Sequence, residues 1–153
     1  MNINIPDKTR FVIDTTALIS YFGTVFNRDS KISQTGLGLI RQAFQEEGRV
    51  LLIIPSIVFV EIFDKWIRNE EFQAKIRSEV FEPIKQSPNI EIRPIDKEVL
   101  ENFIILTDAD IRLENHDRLI LASAVALNAP LITSDRKIRK FVAKHGVIPR
   151  IIQ

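Results

Sequence analysis

The sequence predicts an α/β fold in which a central parallel sheet lies between two layers of helices. Short runs rich in β-branched and aliphatic residues alternate with longer amphipathic segments, which is the pattern of strands joined by helices. One of these runs, 50–54, is apolar at every position, as in a parallel strand that is buried on both faces. The length of 153 residues and the apolar content of 45% suit one globular domain, so we expect a single domain over residues 1–153.

The first third of the chain is expected to contain one strand and two helices. Residues 10–14 form a β-rich run that ends on an acid, and Thr15 or Thr16 is expected to cap the helix that follows. Residues 23–35 are polar and rich in turn formers, which predicts an inserted loop. An amphipathic helix is predicted over 36–47, and the glycine after it is expected to end it.

Strands and helices are expected to alternate through the rest of the chain. The predicted elements are a strand over 50–54, helices over 55–69 and 70–86, a strand over 90–93, helices over 96–106 and 117–128, a strand over 131–133, a basic helix over 135–146 and a strand over 147–152. Ligands of parallel sheets bind beyond the carboxyl ends of the strands. Residues that follow the strands are therefore the first candidates for a functional site.

Composition excludes several classes of function. The chain has no cysteine, which excludes disulfides, thiolate metal sites and a cysteine nucleophile. Its 21 basic and 20 acidic residues leave a net charge of +1, which argues against a polycation that coats nucleic acid. The N-terminus does not have the pattern of a signal peptide, and the longest apolar runs, 50–54 and 57–60, are far too short to span a membrane. We therefore expect a cytoplasmic protein with no membrane partner.

Four acidic residues stand where predicted strands end or where the adjoining helices begin. Asp14 ends the first strand and Asp135 follows the fourth. Asp117 opens the helix before the fourth strand, and Glu61 lies in an otherwise apolar segment of the helix after the second. Converging carboxylates repel each other unless a cation neutralises them, and hard oxygen ligands suit Mg²⁺ or Mn²⁺. The alternative is that the aspartates only cap helices and that Glu61 is a solvated helix residue.

Four segments resemble the successive motifs of PIN-domain proteins, in the order that this family has them. The segments are 11–18 (FVIDTTAL), 55–61 (PSIVFVE), 116–124 (HDRLILASA) and 131–136 (LITSDR). The resemblance spans nearly the whole chain. It implies a PIN-like three-layer α/β/α fold with a central parallel sheet, a Mg²⁺- or Mn²⁺-dependent ribonuclease site, and similarity to the VapC-type toxins of toxin–antitoxin pairs.

The same resemblance implies roles for individual residues. The implied catalytic residues are Asp14, Glu61, Asp117 and Asp135. The implied metal ligands are Asp14, Asp117 and Asp135. Thr133 matches a hydroxyl residue that supports the site through hydrogen bonds, and Thr15 is expected to play a similar part. Arg136 and Lys137 stand where family members often have another acid, which leaves open whether one or two metal ions are held.

A basic stretch beside the carboxylates is a candidate surface for RNA. From residue 136 to residue 150 the chain has basic residues and no acid. The residues expected to contact RNA phosphates are Arg118, Arg136, Lys137, Arg139 and Lys140. The alternative is a solvated helix face whose last basic residues favour the helix dipole.

The acidic stretch before the helix predicted from residue 117 offers further candidates. Asp108, Asp110 or Glu114 is an auxiliary metal ligand in one interpretation and part of a solvated connector in the other. His116 is either a proton-transfer group beside Asp117 or a residue that only begins the helix.

Three functions compete on these grounds. The leading hypothesis is a metal-dependent endoribonuclease that acts on RNA as the toxin of a toxin–antitoxin pair, for which the resemblance implies an antitoxin partner and a homodimer. A second is a non-catalytic PIN module that binds RNA or protein, and the presence of all four acids argues against it. A third is another Mg²⁺ phosphohydrolase or a phosphotransfer protein, of haloacid-dehalogenase or receiver type. Such proteins usually have a second aspartate two positions after the first, where this chain has Thr16.

Overall fold

The structure, a computed structural model, describes residues 8–45 and 48–153. Its strands are β1 (Thr9–Ile13), β2 (Val50–Pro55), β3 (Ile90–Arg93), β4 (Leu131–Ile132) and β5 (Ile151–Ile152). They form one five-stranded sheet in the order β3-β2-β1-β4-β5, and every neighbouring pair is parallel. The predicted α/β/α class with a central parallel sheet is confirmed.

Helices connect the strands. They are α1 (Thr15–Tyr21), α2 (Gly23–Phe26), α3 (Gln34–Phe44), α4 (Ser56–Lys65), α5 (Glu70–Ile76), α6 (Glu82–Gln86), α7 (Lys97–Ile105), α8 (Asn115–Leu127) and α9 (Arg136–His145). A π-helical stretch, Arg77–Phe81, joins α5 to α6. Within residues 8–45 and 48–153, no helix is both long enough and apolar enough to cross a membrane.

The centre of the sheet is deeply buried. β1 pairs with β2 on one side and with β4 on the other. Ile13, Leu52, Ile54 and Ile132, from these three strands, are all 0% exposed. Helices cover both faces of such strands, which explains the uninterrupted apolar run of β2. Burial of each of these side chains stabilises the fold by about 1.5–3 kcal/mol.

The strand order places a topological switch at β1. From β1 the chain moves outward through β2 and β3, and it then returns to the opposite side of β1 for β4 and β5. The two connections diverge at such a point and leave a crevice at the carboxyl ends of the strands. Here the crevice lies where β1 and β4 end, immediately before Asp14 and Thr133.

The segment predicted as a loop over 23–35 is shorter than expected. Gly23–Phe26 forms α2, and α3 begins at Gln34, so the loop covers residues 27–33. Ser33 caps α3 by accepting a hydrogen bond from the backbone N–H of Gly36, at 3.2 Å. The predicted end of that helix, at residues 46 and 47, lies outside the described residues.

Three other local predictions need correction. Asp14, and not one of the threonines after it, caps α1, because its carboxylate accepts the backbone N–H of Ala17. α8 begins at Asn115, so Asp117 lies in its first turn and does not open it. The last strand is limited to Ile151–Ile152, because it pairs with the two residues of β4.

Candidate active site

Two aspartates follow the central strands and begin helices. Asp14 caps α1, and its Oδ1 accepts a hydrogen bond from the backbone N–H of Ala17 at 2.8 Å. Asp135 caps α9 in the same way through the N–H of Ile138, also at 2.8 Å. A cap uses one acceptor site of a carboxylate, which has about four such sites on its two oxygens. The capping role predicted as an alternative is therefore real and compatible with a second role.

Thr133 joins these two strand ends. Its hydroxyl donates a hydrogen bond to Oδ2 of Asp14 and accepts one from the backbone N–H of Asp135, at 3.0 Å. Thr133 is 0% exposed and Asp14 is 3% exposed. An ionised carboxylate at such a depth is costly unless donors satisfy it. Thr133 and the helix N-terminus together supply those donors and fix the orientation of Asp14.

Glu61 and Asp117 approach the same rim from two helices that pack against each other. Glu61 lies on α4 and Asp117 in the first turn of α8. The Thr15 hydroxyl, in the first turn of α1, donates a hydrogen bond to Oε2 of Glu61 at 2.5 Å. This contact ties Glu61 to the residue that follows Asp14.

The carboxylates are close enough for their charges to act on one another. The pKa of Asp14 is raised from 3.8 to about 7, mainly by burial and also by the charges of Asp117 and Asp135, although its hydrogen bonds lower it. The pKa of Asp117 is raised to about 6, again mainly by burial, with the charges of Asp135 and Glu61 adding to it. The neighbouring imidazole of His116 lowers it. The structure thus brings the four predicted acids into one interacting group, which we call the acid cluster.

Two basic side chains contact the acid cluster from one side. Lys65 places Nζ 3.3 Å from Oε1 of Glu61 and 3.9 Å from Oε2 of Glu114. His116 places Nε2 3.2 Å from the same oxygen of Glu61, and 3.4 Å from an oxygen of each of Glu114 and Asp117. A single ring nitrogen carries at most one proton to donate. Nε2 of His116 therefore cannot donate to all three surrounding carboxylates, and this side of the acid cluster keeps unbalanced negative charge.

The sequence points to only part of this arrangement. His116 and Glu114 are candidates from sequence, but Lys65 is not. Its spacing of four positions from Glu61 is the signal that could have found it, since i, i+4 pairs of opposite charge meet on one helix face. Glu114, His116 and Asp117 each offer a ligand atom within 4.8 Å of the others. Glu114, which is exposed, therefore remains a candidate for a further cation ligand.

The basic residues predicted to contact RNA divide into two groups. Three of them lie exposed on α9, namely Arg136, Lys137 and Lys140. Arg139, between them, is partly buried. Arg118 instead lies with its guanidinium over the ring of Phe103, 3.8 Å from the ring centre, which anchors α8 to α7. Because α9 begins directly after Asp135, its exposed basic residues start within one turn of the acid cluster.

Asp108 is engaged in contacts with the end of α9. Its Oδ2 accepts a hydrogen bond from Nζ of Lys144 at 2.6 Å and lies 2.8 Å from Nε2 of His145. Its Oδ1 accepts the backbone N–H groups of Asp110 and Ile111. These contacts, that of Lys144 first, hold the pKa of Asp108 well below its usual range. They fasten the connector between α7 and α8 to the end of α9.

Comparison with known proteins identifies a protein family whose model matches most of the chain. The family model of the PIN domain matches residues 11–144. No curated protein matches the sequence significantly.

Solved structures with a similar fold include VapBC2 from Rickettsia felis bound to a DNA fragment from its promoter. It is 17% identical, with a TM-score of 0.60 over 95% of this chain and 98% of that chain. A toxin–antitoxin complex from Klebsiella pneumoniae is 19% identical, with a TM-score of 0.55 over 93% of this chain and 95% of that chain. VapBC-5 from Mycobacterium tuberculosis, of the VapBC family of toxin–antitoxin systems, is 18% identical, with a TM-score of 0.55 over 95% of this chain and 98% of that chain.

Proposed function

Because this chain belongs to the PIN-domain family, we propose that it is a metal-dependent endoribonuclease that hydrolyses phosphodiester bonds of RNA. The observation that carries the proposal is the acid cluster, in which four carboxylates from different elements meet at the carboxyl edge of the sheet. Two of them, Asp14 and Asp117, have raised pKa values, and perturbed acids in such a position are typical of functional sites.

We propose Mg²⁺ or Mn²⁺ as the cofactor. The donor atoms of the cluster are carboxylate oxygens, which these hard cations prefer, and the mutual repulsion of the acids is what a cation relieves. Asp14, Asp117 and Asp135 would hold the ion, and Glu61 would orient a further ligand or a water molecule. When bound, the ion supplies charge stabilisation at a phosphoryl oxygen and lowers the pKa of a water molecule.

Neighbouring groups hold the acids ready for this role. Both oxygens of Asp14 accept hydrogen bonds, and Thr15 fixes one oxygen of Glu61. Lys65 offsets part of the negative charge of Glu61 while no cation is bound. The acids are therefore positioned by their own surroundings, which reduces the rearrangement that cation binding requires.

The exposed face of α9 is the proposed surface for the RNA backbone. Lys137 and Lys140 are exposed there with Arg136, and Arg139 adds charge from a partly buried position. Arg118 adds positive charge from its place above Phe103. Contacts of this kind bind phosphates without regard to sequence, so they predict RNA binding that weakens as salt is added.

We also propose that the protein is a cytoplasmic toxin with an antitoxin partner, and that it forms a homodimer. Two of the similar structures are described as toxin–antitoxin assemblies, and this chain matches nearly their whole length. α7 exposes Leu100, Ile104 and Ile105, which are 44%, 69% and 70% exposed. Apolar side chains grouped on a surface in this way favour an interface, and light scattering of the purified protein tests the dimer.

The central test is cleavage of a mixed RNA panel in Mg²⁺, in Mn²⁺ and in EDTA. We expect cleavage that needs the metal, leaves 5′-phosphate and 3′-hydroxyl ends, and is lost in an Asp14→Asn, Asp117→Asn double variant. Asp64→Asn is the matched control, because Asp64 is an exposed acid on the same helix as Glu61. Cleavage in EDTA, or unchanged cleavage by the double variant, would overturn the mechanism. Metal binding without cleavage of any RNA would favour a binding module instead.

A further inference from the structure

A large groove opens beside the acid cluster. It has a volume of about 860 Å³, within the roughly 300–1,000 Å³ range of ligand pockets. Its walls come from α1, from the segment 23–31 and from Trp66, which directly follows α4. Thr16 in its wall follows Thr15, and Trp66 follows Lys65; Thr15 and Lys65 both contact Glu61. Two walls of the groove therefore adjoin residues that contact Glu61.

The lining of the groove suits a nucleotide better than an apolar peptide. Among its described lining residues Arg28 and Lys31 are basic and Asp29 is acidic, which leaves a net positive charge. The guanidinium of Arg28 lies over the indole of Trp66, 4.8 Å from the ring centroid. A guanidinium that packs against an aromatic ring can stack on a nucleic-acid base with its other face, and cations nearby attract phosphate.

The segment that carries both cations is held in place. The backbone N–H of Arg28 donates to the carbonyl of Gly23 at 2.9 Å, and that of Lys31 donates to Oγ of Ser20 at 3.1 Å. A Cβ at position 23 would lie 2.6 Å from the backbone oxygen of Arg28, so the turn requires glycine there. The two basic side chains are thus presented from a fixed backbone, which reduces the entropy cost of binding.

We propose that this groove binds a nucleotide of the RNA substrate next to the scissile phosphate. The base stacks on the guanidinium of Arg28 above Trp66, and Lys31 contacts the adjoining phosphate. This inference rests on the proposed function and deepens it, because a base stacked in this groove would position the adjoining phosphate for cleavage and favour the bases that stack most strongly. Arg28 is then a specificity-determining residue and takes no part in the chemistry at the acid cluster.

The test uses the fluorescence of Trp66, which is the only tryptophan in the sequence. Single-stranded RNA oligonucleotides of about six nucleotides are titrated into the Asp14→Asn variant in Mg²⁺, and binding is measured in parallel by anisotropy of labelled RNA. We expect a saturable change in Trp66 emission at the same RNA concentration as the change in anisotropy. Arg28→Ala should weaken binding by about tenfold, as expected for loss of one stacked base.

Two further variants separate stacking from charge and from folding. Arg28→Lys keeps the charge without the planar group, so we expect it to weaken binding nearly as much as Arg28→Ala and to lose the preference among cleavage sites in an otherwise wild-type protein. Arg77→Ala is the matched control, because Arg77 is an exposed arginine that does not line the groove. It should leave affinity and site preference unchanged.

The outcomes distinguish this inference from the proposed function. If RNA is bound and cut normally while Trp66 emission stays constant and Arg28→Ala behaves like Arg77→Ala, the groove is not a nucleotide site and the nuclease proposal stands. If Trp66 emission responds to a co-purified protein partner and not to RNA, the groove is a protein-binding surface and the inference is overturned. If no RNA is bound or cut under any condition, both proposals fail together.

Discussion

Thr133 donates a hydrogen bond to Asp14 although 119 positions separate the two residues in the sequence. The bond crosses the crevice between the ends of β1 and β4. It supplies a donor to a carboxylate that the surrounding core would otherwise leave poorly satisfied. The geometry of the acid cluster therefore depends on a pairing between distant parts of the chain.

Replacement of this hydroxyl tests the dependence directly. In Thr133→Val the carboxylate of Asp14 loses a donor and the N–H of Asp135 loses an acceptor. We expect the free energy of unfolding to fall by about 1–3 kcal/mol and cleavage to slow markedly. Urea denaturation and initial rates measure the two effects. Thr133→Ser keeps the hydroxyl and should behave nearly as the wild type. A loss in Thr133→Ser as large as that in Thr133→Val would contradict the role assigned to the hydroxyl.

The raised pKa of Asp14 predicts how stability depends on pH. A carboxyl whose pKa is higher in the folded protein binds protons more tightly there, so it lowers stability as pH rises from about 4 to about 7. A shift from 3.8 to about 7 lowers the free energy of unfolding by roughly 4 kcal/mol at pH values above that window. In EDTA, Asp14→Asn is therefore expected to be more stable than the wild type at pH 8, with a difference that disappears below pH 4.

Thermal unfolding of both proteins across this pH range measures the difference. Asp117, whose pKa is raised to about 6, should also lower stability as the pH rises, but over a narrower pH range that ends about one unit lower. Saturating Mg²⁺ or Mn²⁺ at pH 8 should raise the Tm of the wild type and leave that of Asp14→Asn nearly unchanged. A wild type that is as stable as Asp14→Asn at pH 8 in EDTA would contradict the assigned burial effect.

Lys65 is expected to compete with the cofactor for negative charge. Its ammonium group contacts Glu61 and Glu114 at the edge of the acid cluster, but it is half exposed, so the effect is screened by solvent. Lys65→Gln should therefore tighten Mn²⁺ binding by roughly two- to fivefold, as measured by calorimetry. Lys75→Gln, which removes an exposed lysine from α5, is the control and should leave the affinity unchanged.

The contacts of Asp108 predict that stability also depends on pH in the opposite direction. Its pKa is depressed in the folded protein, so it stabilises the fold above about pH 4, and that stability is lost as the pH falls towards the folded value. Asp108→Asn should lower the Tm at pH 7 and have less effect at pH 3. Combination with Lys144→Ala tests the pairing: the losses should be clearly less than additive, whereas simple addition would show that the two residues act separately.

The sequence predicts the sheet well because its strands are recognisable from their composition as short apolar runs. The apolar runs around Ile13, Leu52 and Ile132 are buried from both faces, and no other local structure accounts for them as simply. The capping role of Asp14 and Asp135 is among the alternatives that the sequence offers, because capping is decided within four residues. The same rule also admits Thr15 or Thr16 at α1, and there the sequence alone does not choose the correct residue. The ends of elements are predicted less well, since they depend on how neighbouring elements pack.

The parts of the site that the sequence does not predict arise from contacts between helices. Arg118 lies on Phe103 because α8 packs against α7, and this pairing has no fixed spacing along the chain. Lys65 meets Glu114 for a similar reason, because α4 packs against α8. The contact between Asp108 and His145 likewise joins the connector before α8 to the end of α9, which only the folded chain brings together.

The position of β1 between β2 and β4 also has a consequence during synthesis. A ribosome completes Asp14 long before it reaches Thr133, which lies 119 positions later in the sequence. A translation product that stops before β4 still contains Asp14, Glu61 and Asp117, but it lacks the strand that closes the crevice and orients them. Such long-range pairing forms late in folding, so an interrupted or newly emerging chain has no assembled site. We therefore expect the complete acid cluster only in chains that extend beyond β4.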